Sequence, residues 1–178
     1  MSIKTIFLDR DGVINKEINY LHKIEDFKFI DGIFEACHYF KSLDYKIIII
    51  TNQSGISRGY FTEQDFQTVT HWMLDEFKKK DIKILDVFHC PHLSDSNCNC
   101  RKPKPGVFLE AKSKYGIKMQ DSWMIGDSER DINAANSAGI KNTTLVRSGH
   151  KIDERNSNTK HFLDSISQTN QIIFKSKN

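Results

Sequence analysis

Two aspartates one residue apart stand out in the segment Phe7-Leu8-Asp9-Arg10-Asp11-Gly12-Val13-Ile14. The apolar run from Ile3 to Leu8, interrupted by Lys4 and Thr5, reads as a short strand that stops at these carboxylates. In an extended backbone, residues two apart point the same way, so the two side chains form a pair that demands a cation or a shared proton. Mg²⁺, a hard ion commonly shared between carboxylates and a substrate phosphate, meets that demand. The same stretch also suits a strand-to-turn junction in which Asp and Gly supply the turn chemistry. The rest of the chain has to decide between the two readings.

A second cluster is richer in soft ligands. Cys90-Pro91-His92 is followed, after five residues, by Cys98-Asn99-Cys100, placing three thiols and one imidazole within eleven residues. That set suffices for a closed tetrahedral Zn²⁺ site and leaves no open position for catalysis. Its expected role is to fold a loop poor in apolar residues and to hold Arg101 and Lys102 in place. Cys37, by contrast, shares an apolar helical face with Ile33, Phe34, Phe40 and Leu43 and reads as core. His89 and His150 read as structural or surface residues.

Positioning such groups is a task for strands and their ends. Lys46 is followed by four isoleucines, Ile47 to Ile50, an unbroken β-branched run of the kind covered on both faces in parallel sheets. It ends in Thr51-Asn52-Gln53-Ser54-Gly55. Further strands are expected over Ile84 to His89, Ser122 to Ile125 and Thr143 to Val146. Helices are expected from Asp31-Gly32 to about Leu43, after an N-cap at Thr62, from Pro105-Gly106 to Tyr115, and from about Asp131 to Ala138. The alternation predicts an α/β fold, an open and mostly parallel Rossmann-like sheet with helices on both faces and right-handed crossovers. Asp9 and Asp11, Thr51 and Asn52, and Asp127 then all fall at carboxyl ends of parallel strands, the edge along which such sheets bind ligands. The polar excursion from Asn15 to Phe29 leaves the first strand beside its carboxylates, as functional loops do.

Length and charge bound the rest. At 178 residues, a single domain over 1–178 is expected, with a zinc loop at 90–100 and a weakly structured tail from about 148. In that tail Phe162, Leu163 and Ile166 suggest a last short helix, and Ile172-Ile173-Phe174 an edge strand. A net charge of +3, with basic residues scattered outside Lys78 to Lys80 and Arg101 to Lys104, suits small anions and argues against nucleic acid as a partner. No apolar run approaches the ~18 residues of a membrane span, and acidic charge comes too early for a signal peptide. A cytoplasmic protein is expected.

FLDRDGVIN, an apolar strand ending in Thr51-Asn52, Lys102 before a helix, and GDSERD from Gly126 together resemble the haloacid dehalogenase superfamily of phosphotransferases. The resemblance covers roughly the first 150 residues with its motifs in order. It implies that Asp9 is the nucleophile that forms an aspartyl-phosphate, and Asp11 the general acid and base. It further implies Mg²⁺ on Asp9, Asp127 and the backbone carbonyl of Asp11, with Thr51 and Lys102 on the transferring phosphoryl group. Asp131 either orients the metal shell or caps its helix.

TNQSGISRG, the Cys/His loop and CRKPKPG narrow the resemblance to the heptose bisphosphate phosphatases, which remove the 7-phosphate of D-glycero-D-manno-heptose 1,7-bisphosphate in nucleotide-heptose synthesis for lipopolysaccharide or surface glycans. The histidinol-phosphate phosphatases are closely similar. The short links between the first three strands leave no room for a cap domain, and oligomerisation is not required, so a monomer is expected. By resemblance, Glu17, Ile18, Asn19 and Tyr20, then Thr51, Asn52, Gln53 and Ser54, together with Arg101, contact the phosphorylated sugar, and Ser128 stands where the heptose family usually has lysine. Arg101 suits a second phosphate because its fork binds two oxygens at once. Histidinol phosphate would instead favour carboxylates near the mouth, for which Glu17 and Glu129 are candidates. A third expectation, a noncatalytic phosphate-binding module, would be expected to have lost one of the intact aspartates.

Overall fold

The computed structural model describes residues 2–174. Six strands, β1 (Thr5–Leu8), β2 (Lys46–Asn52), β3 (Ile84–Cys90), β4 (Trp123–Gly126), β5 (Asn142–Val146) and β6 (Phe162–Leu163), form one sheet in the order β3-β2-β1-β4-β5-β6. Every neighbouring pair is parallel. Four helices connect them: α1 (Ile33–Ser42), α2 (Glu63–Lys79), α3 (Gly106–Tyr115) and α4 (Glu129–Ser137).

The isoleucine run of β2 shows why the sheet is covered twice. Successive strand residues point to opposite faces, so Ile47 and Ile49 join Ile33, Cys37 and Phe40 of α1 and Met73 and Phe77 of α2. Ile48 and Ile50 join Val107 and Phe108 of α3 and Ala134 and Ala135 of α4 on the other face. Central β1 divides likewise, Ile6 and Leu8 to the first core and Phe7 to the second. Thr62 caps α2 through a reciprocal box: its hydroxyl accepts from the Asp65 N–H at 3.1 Å while the Asp65 carboxylate accepts from the Thr62 N–H at 2.8 Å.

Chain order and sheet order part company beside β1. From β1 the chain builds outward through β2 to β3, then crosses back to place β4 on the opposite side of β1. The crevice between β1 and β4 is therefore the reversal point at which open α/β sheets take their ligands. The link from β1 to β2 holds only a short 3₁₀ turn and α1, and that from β2 to β3 only α2, so neither carries a cap. No helix among the described residues is long and apolar enough to cross a membrane.

Two expectations fail here. α4 starts at Glu129 with Ser128 as its N-cap, earlier than the expected Asp131, because Ser128 and Asp131 make a second capping box. The tail is more ordered than its polar composition suggests, and its elements are exchanged. Phe162–Leu163 is the edge strand, while 166–171 is a 3₁₀ helix and 172–174 joins neither. Ile166 and Ile173 are fully buried in the first core, so two well-placed isoleucines anchor a segment otherwise rich in Ser, Asn and Thr.

Candidate active site

At the carboxyl edge of the sheet, four charged side chains are packed out of water. Asp9 follows β1 directly, and its backbone N–H donates to Ile125 O of β4 at 3.0 Å, which fixes it in the crevice. Its Oδ1 accepts from the Arg10 N–H at 2.8 Å and from Lys102 Nζ at 2.9 Å. Lys102, 2 % exposed, reaches in from the Cys/His loop and also donates to Asp131 Oδ1 at 2.7 Å and Ile50 O at 3.0 Å. Burial works against the ammonium, but Asp131 and Asp9 hold its pKa above the ordinary lysine value. Burial, reinforced by Asp131 and opposed by Lys102, pushes the Asp9 carboxyl well above the usual carboxylate range.

Asp127 ends β4 on the other wall of the crevice. Its Oδ2 accepts from the His150 N–H at 2.9 Å and from the His150 ring Nδ1 at 2.6 Å. Its Oδ1 is buried and has no partner among the described residues. Burial and Asp131 raise the Asp127 carboxyl, with His150 opposing. Carboxylate oxygens of Asp9, Asp127 and Asp131 lie within 4.8 Å of one another. Lys102 alone does not balance them, and the all-oxygen donor set with one oxygen left over fits a hard divalent cation. Gly12, at φ +83°, and Gly149 are both required here, since a Cβ at either would collide with the Asp127 carboxylate.

Asp11 and the loop from Glu17 to Tyr20 line the opening. Asp11 Oδ2 accepts from Gln53 Nε2 at 3.1 Å, and the same amide donates to Thr51 Oγ1 at 2.9 Å. A cavity of about 250 Å³ opens between them, lined by Asp9, Asp11, Glu17, Ile18, Asn19, Tyr20, Thr51, Asn52, Gln53, Ser54, Arg101, Lys102 and Ser128. Every expected substrate contact and all four expected catalytic residues thus meet in one cavity, with Asp127 clustered against Asp9 and Asp131 of its lining. Glu17 is pushed up to about 7, first by burial and then by Asp11.

The expected soft cluster also assembles. Cys90, His92, Cys98 and Cys100 bring one ligand atom each to within 4.8 Å of one another, and the three sulfurs and imidazole nitrogen suit zinc. Cys98 Sγ also accepts from Ser96 Oγ at 3.3 Å. The cluster is tied to the cavity, because Arg101 Nη1 donates to His92 O at 3.1 Å. Asn52, at the end of β2, holds the next residue from both sides, accepting from Lys102 N–H and donating to Lys102 O, each at 3.1 Å.

Some sequence readings change. His150 is no bystander, since it touches Asp127 and lines the cavity. It follows the carboxyl end of β5, so the strand-end rule that singled out Asp9, Thr51 and Asp127 would have found it. Glu129 does not face the mouth; its carboxylate accepts from Ser157 Oγ at 2.7 Å and the Asn158 N–H at 2.8 Å. Asp131 caps its helix, accepting from the backbone N–H groups of Asp127 and Ser128, and it also pairs with Lys102. Lys102 uses its three N–H groups on protein acceptors, so its charge rather than a free donor faces the cavity. Arg58 and Arg130, both lining the cavity, and fully buried Arg10 escaped sequence reasoning. His89 is structural as expected, bonded to Glu63 and packed on Phe66.

A family profile described as HAD-hydrolase-like matches residues 99–169. The D-glycero-alpha-D-manno-heptose-1,7-bisphosphate 7-phosphatase of Photorhabdus laumondii is 47 % identical over 163 residues, covering 88 % of this chain and 89 % of that protein. The D-glycero-beta-D-manno-heptose-1,7-bisphosphate 7-phosphatase of Pasteurella multocida is 40 % identical over 177 residues, covering 96 % of each. Among solved structures, the D,D-heptose 1,7-bisphosphate phosphatase of B. bronchiseptica, complexed with magnesium and phosphate, superposes with a TM-score of 0.84 at 26 % identity over 95 % of this chain and 97 % of that one. With the capless sheet and the aspartate-lined crevice, these likenesses place the chain in the heptose bisphosphate phosphatase family of haloacid dehalogenase-like hydrolases.

Proposed function

We propose that this chain removes the 7-phosphate of D-glycero-D-manno-heptose 1,7-bisphosphate, acting as a cytoplasmic monomer with 1–178 as one catalytic unit. The observation that carries the chemistry is Asp9, buried against the Lys102 ammonium with a carboxylate oxygen of Asp127 within 4.8 Å. Asp9 attacks phosphorus in line; the new Asp9–phosphorus bond forms as the ester P–O bond breaks, and Asp11 gives its proton to the departing C7 alkoxide. Water then attacks the same phosphorus, Asp11 takes the water's proton, and the bond to Asp9 breaks to release phosphate. Thr51 and the charge of Lys102 meet the phosphoryl oxygens. Mg²⁺, held by Asp9, Asp127 and the Asp11 carbonyl, would supply charge neutralisation at the phosphoryl group. Zn²⁺ held by Cys90, His92, Cys98 and Cys100 would be structural.

Arg101 is assigned to the second, untransferred phosphate. The α anomer is the proposed substrate, because the relative named for it is 47 % identical against 40 % for that named for the β anomer. Histidinol phosphate fits less well. Its cationic amine needs fixed anions at the mouth, yet Glu129 is engaged with the tail and Glu17, raised to about 7, is only partly charged at neutral pH. Phosphate release from both heptose anomers and from histidinol phosphate tests the assignment. The highest kcat/KM is expected on the α anomer, and histidinol phosphate as the fastest substrate would overturn it.

A further inference from the structure

Arg10 lies between the two aspartates of the site, and neither the family's chemistry as set out above nor the cavity lining gives it a task. Its side chain is 1 % exposed, among the largest fully buried side chains of the protein. A buried guanidinium is a costly core residue unless something specific requires it. Its contacts show what that is. Nε and Nη2 both donate to Asp11 Oδ1, at 3.2 and 2.9 Å, and Nη2 also reaches Leu21 O at 3.3 Å. Nη1 is buried with no partner among the described residues, so the group is not placed to satisfy its own hydrogen bonds. The Phe66 ring on α2 lies 5.9 Å from the guanidinium carbon and restricts its movement.

The two oxygens of Asp11 are thereby made unequal. Oδ1 accepts from Arg10 Nε, Arg10 Nη2 and, at 3.0 Å, from Nδ2 of fully buried Asn15. Among the described residues, Oδ2 meets only the Gln53 amide, which has Thr51 Oγ1 as an alternative acceptor. The loop itself is wound around this arrangement, since Arg10 O accepts from the N–H groups of Val13, Ile14 and Asn15.

We propose that Arg10 is a positioning residue. With Asn15 it clamps Oδ1 of Asp11, so that Oδ2 alone is presented to the oxygen leaving phosphorus. Through Leu21 O it also ties this carboxylate to the loop that lines the substrate cavity. The proposal rests on the general acid and base role assigned to Asp11.

Leaving-group dependence tests it. A sugar alkoxide must be protonated as it departs, whereas p-nitrophenolate leaves as a stable anion, so only the former needs a correctly aimed acid. Arg10→Met and Arg10→Lys are compared with the wild-type enzyme and Asp11→Asn, with Mg²⁺ present. Two rates are read: nitrophenolate release from p-nitrophenyl phosphate with enzyme in excess, which reports the first transfer alone, and kcat on heptose 1,7-bisphosphate. For Arg10→Met, kcat on the sugar should fall by about 100-fold, within the range of general acid–base contributions. Nitrophenolate release should stay within about threefold of the wild-type value, with KM little changed. Arg10→Lys, which keeps the charge and one donor, should recover part of the lost kcat, and it carries the test if the Met variant does not fold. Equal loss on both substrates would make Arg10 a purely structural residue, and no loss on either would leave it without a role; both outcomes overturn the proposal. A wild-type enzyme that releases nothing from either ester would instead defeat the functional reading beneath it.

Discussion

Lys102 is surrounded by acceptors that depend on it. Asp9 and Asp131 are both buried, and removing the ammonium leaves two carboxylates facing each other without water. Breaking a buried pair of this kind costs about 3–5 kcal/mol. Lys102→Met should therefore lose that much stability in urea unfolding, and turnover with it; unchanged stability would contradict the pairing. Glu17 gives a pH prediction. Its folded value of about 7 lies above the ordinary 4.5, so the stability it contributes is present below 4.5 and is lost as pH rises through 7. Thermal melts of Glu17→Gln should show a shallower decline over that window than the wild type, and parallel curves would count against the burial and the Asp11 repulsion that raise it. At this scale the sequence was legible wherever a residue type announced its chemistry, as Asp9, Asp11, Asp127 and the cysteines do. It was not legible for Arg10, whose guanidinium meets Leu21 O only in the folded loop, and His150 was missed although it follows a strand end and meets Asp127 there.

The elements repeat that contrast. β2 was readable because four isoleucines in a row suit a strand covered on both faces, and the helix cap at Thr62 is local chemistry. β6 was not, because a two-residue strand has too little pattern to read and owes its place to pairing with β5. With the proposed Zn²⁺ bound, the Cys/His loop is the element most open to a ligand test. Cys98→Ser should reduce bound zinc, measured by elemental analysis of the purified protein. Loss of a structural site on the order of 3 kcal/mol would lower Tm by roughly 6–12 °C. Because Arg101 is held through His92 O, KM for the bisphosphate should rise as well. A variant with full zinc and an unchanged KM would show that the loop does not position Arg101.

Across the whole molecule, two apolar cores clamp one sheet, and the reversal of strand order beside β1 brings Asp9 and Asp127 together from positions far apart in the chain. The last segment closes this body: Ile166 is fully buried against the first core. Ile166→Ala should cost about 2–5 kcal/mol in urea unfolding while leaving kcat within about threefold. A large kcat loss at normal stability would instead couple the tail to the reaction. On the proposed mechanism Asp9 takes up one phosphate, that on C7, and the anomeric phosphate stays in place. The most direct test is a ³¹P NMR time course of heptose 1,7-bisphosphate with wild-type enzyme and Asp9→Asn. The wild type should convert the C7 signal to inorganic phosphate while the anomeric signal persists, and the variant should convert nothing. Loss of the anomeric signal first, or turnover by Asp9→Asn, would overturn the proposed mechanism.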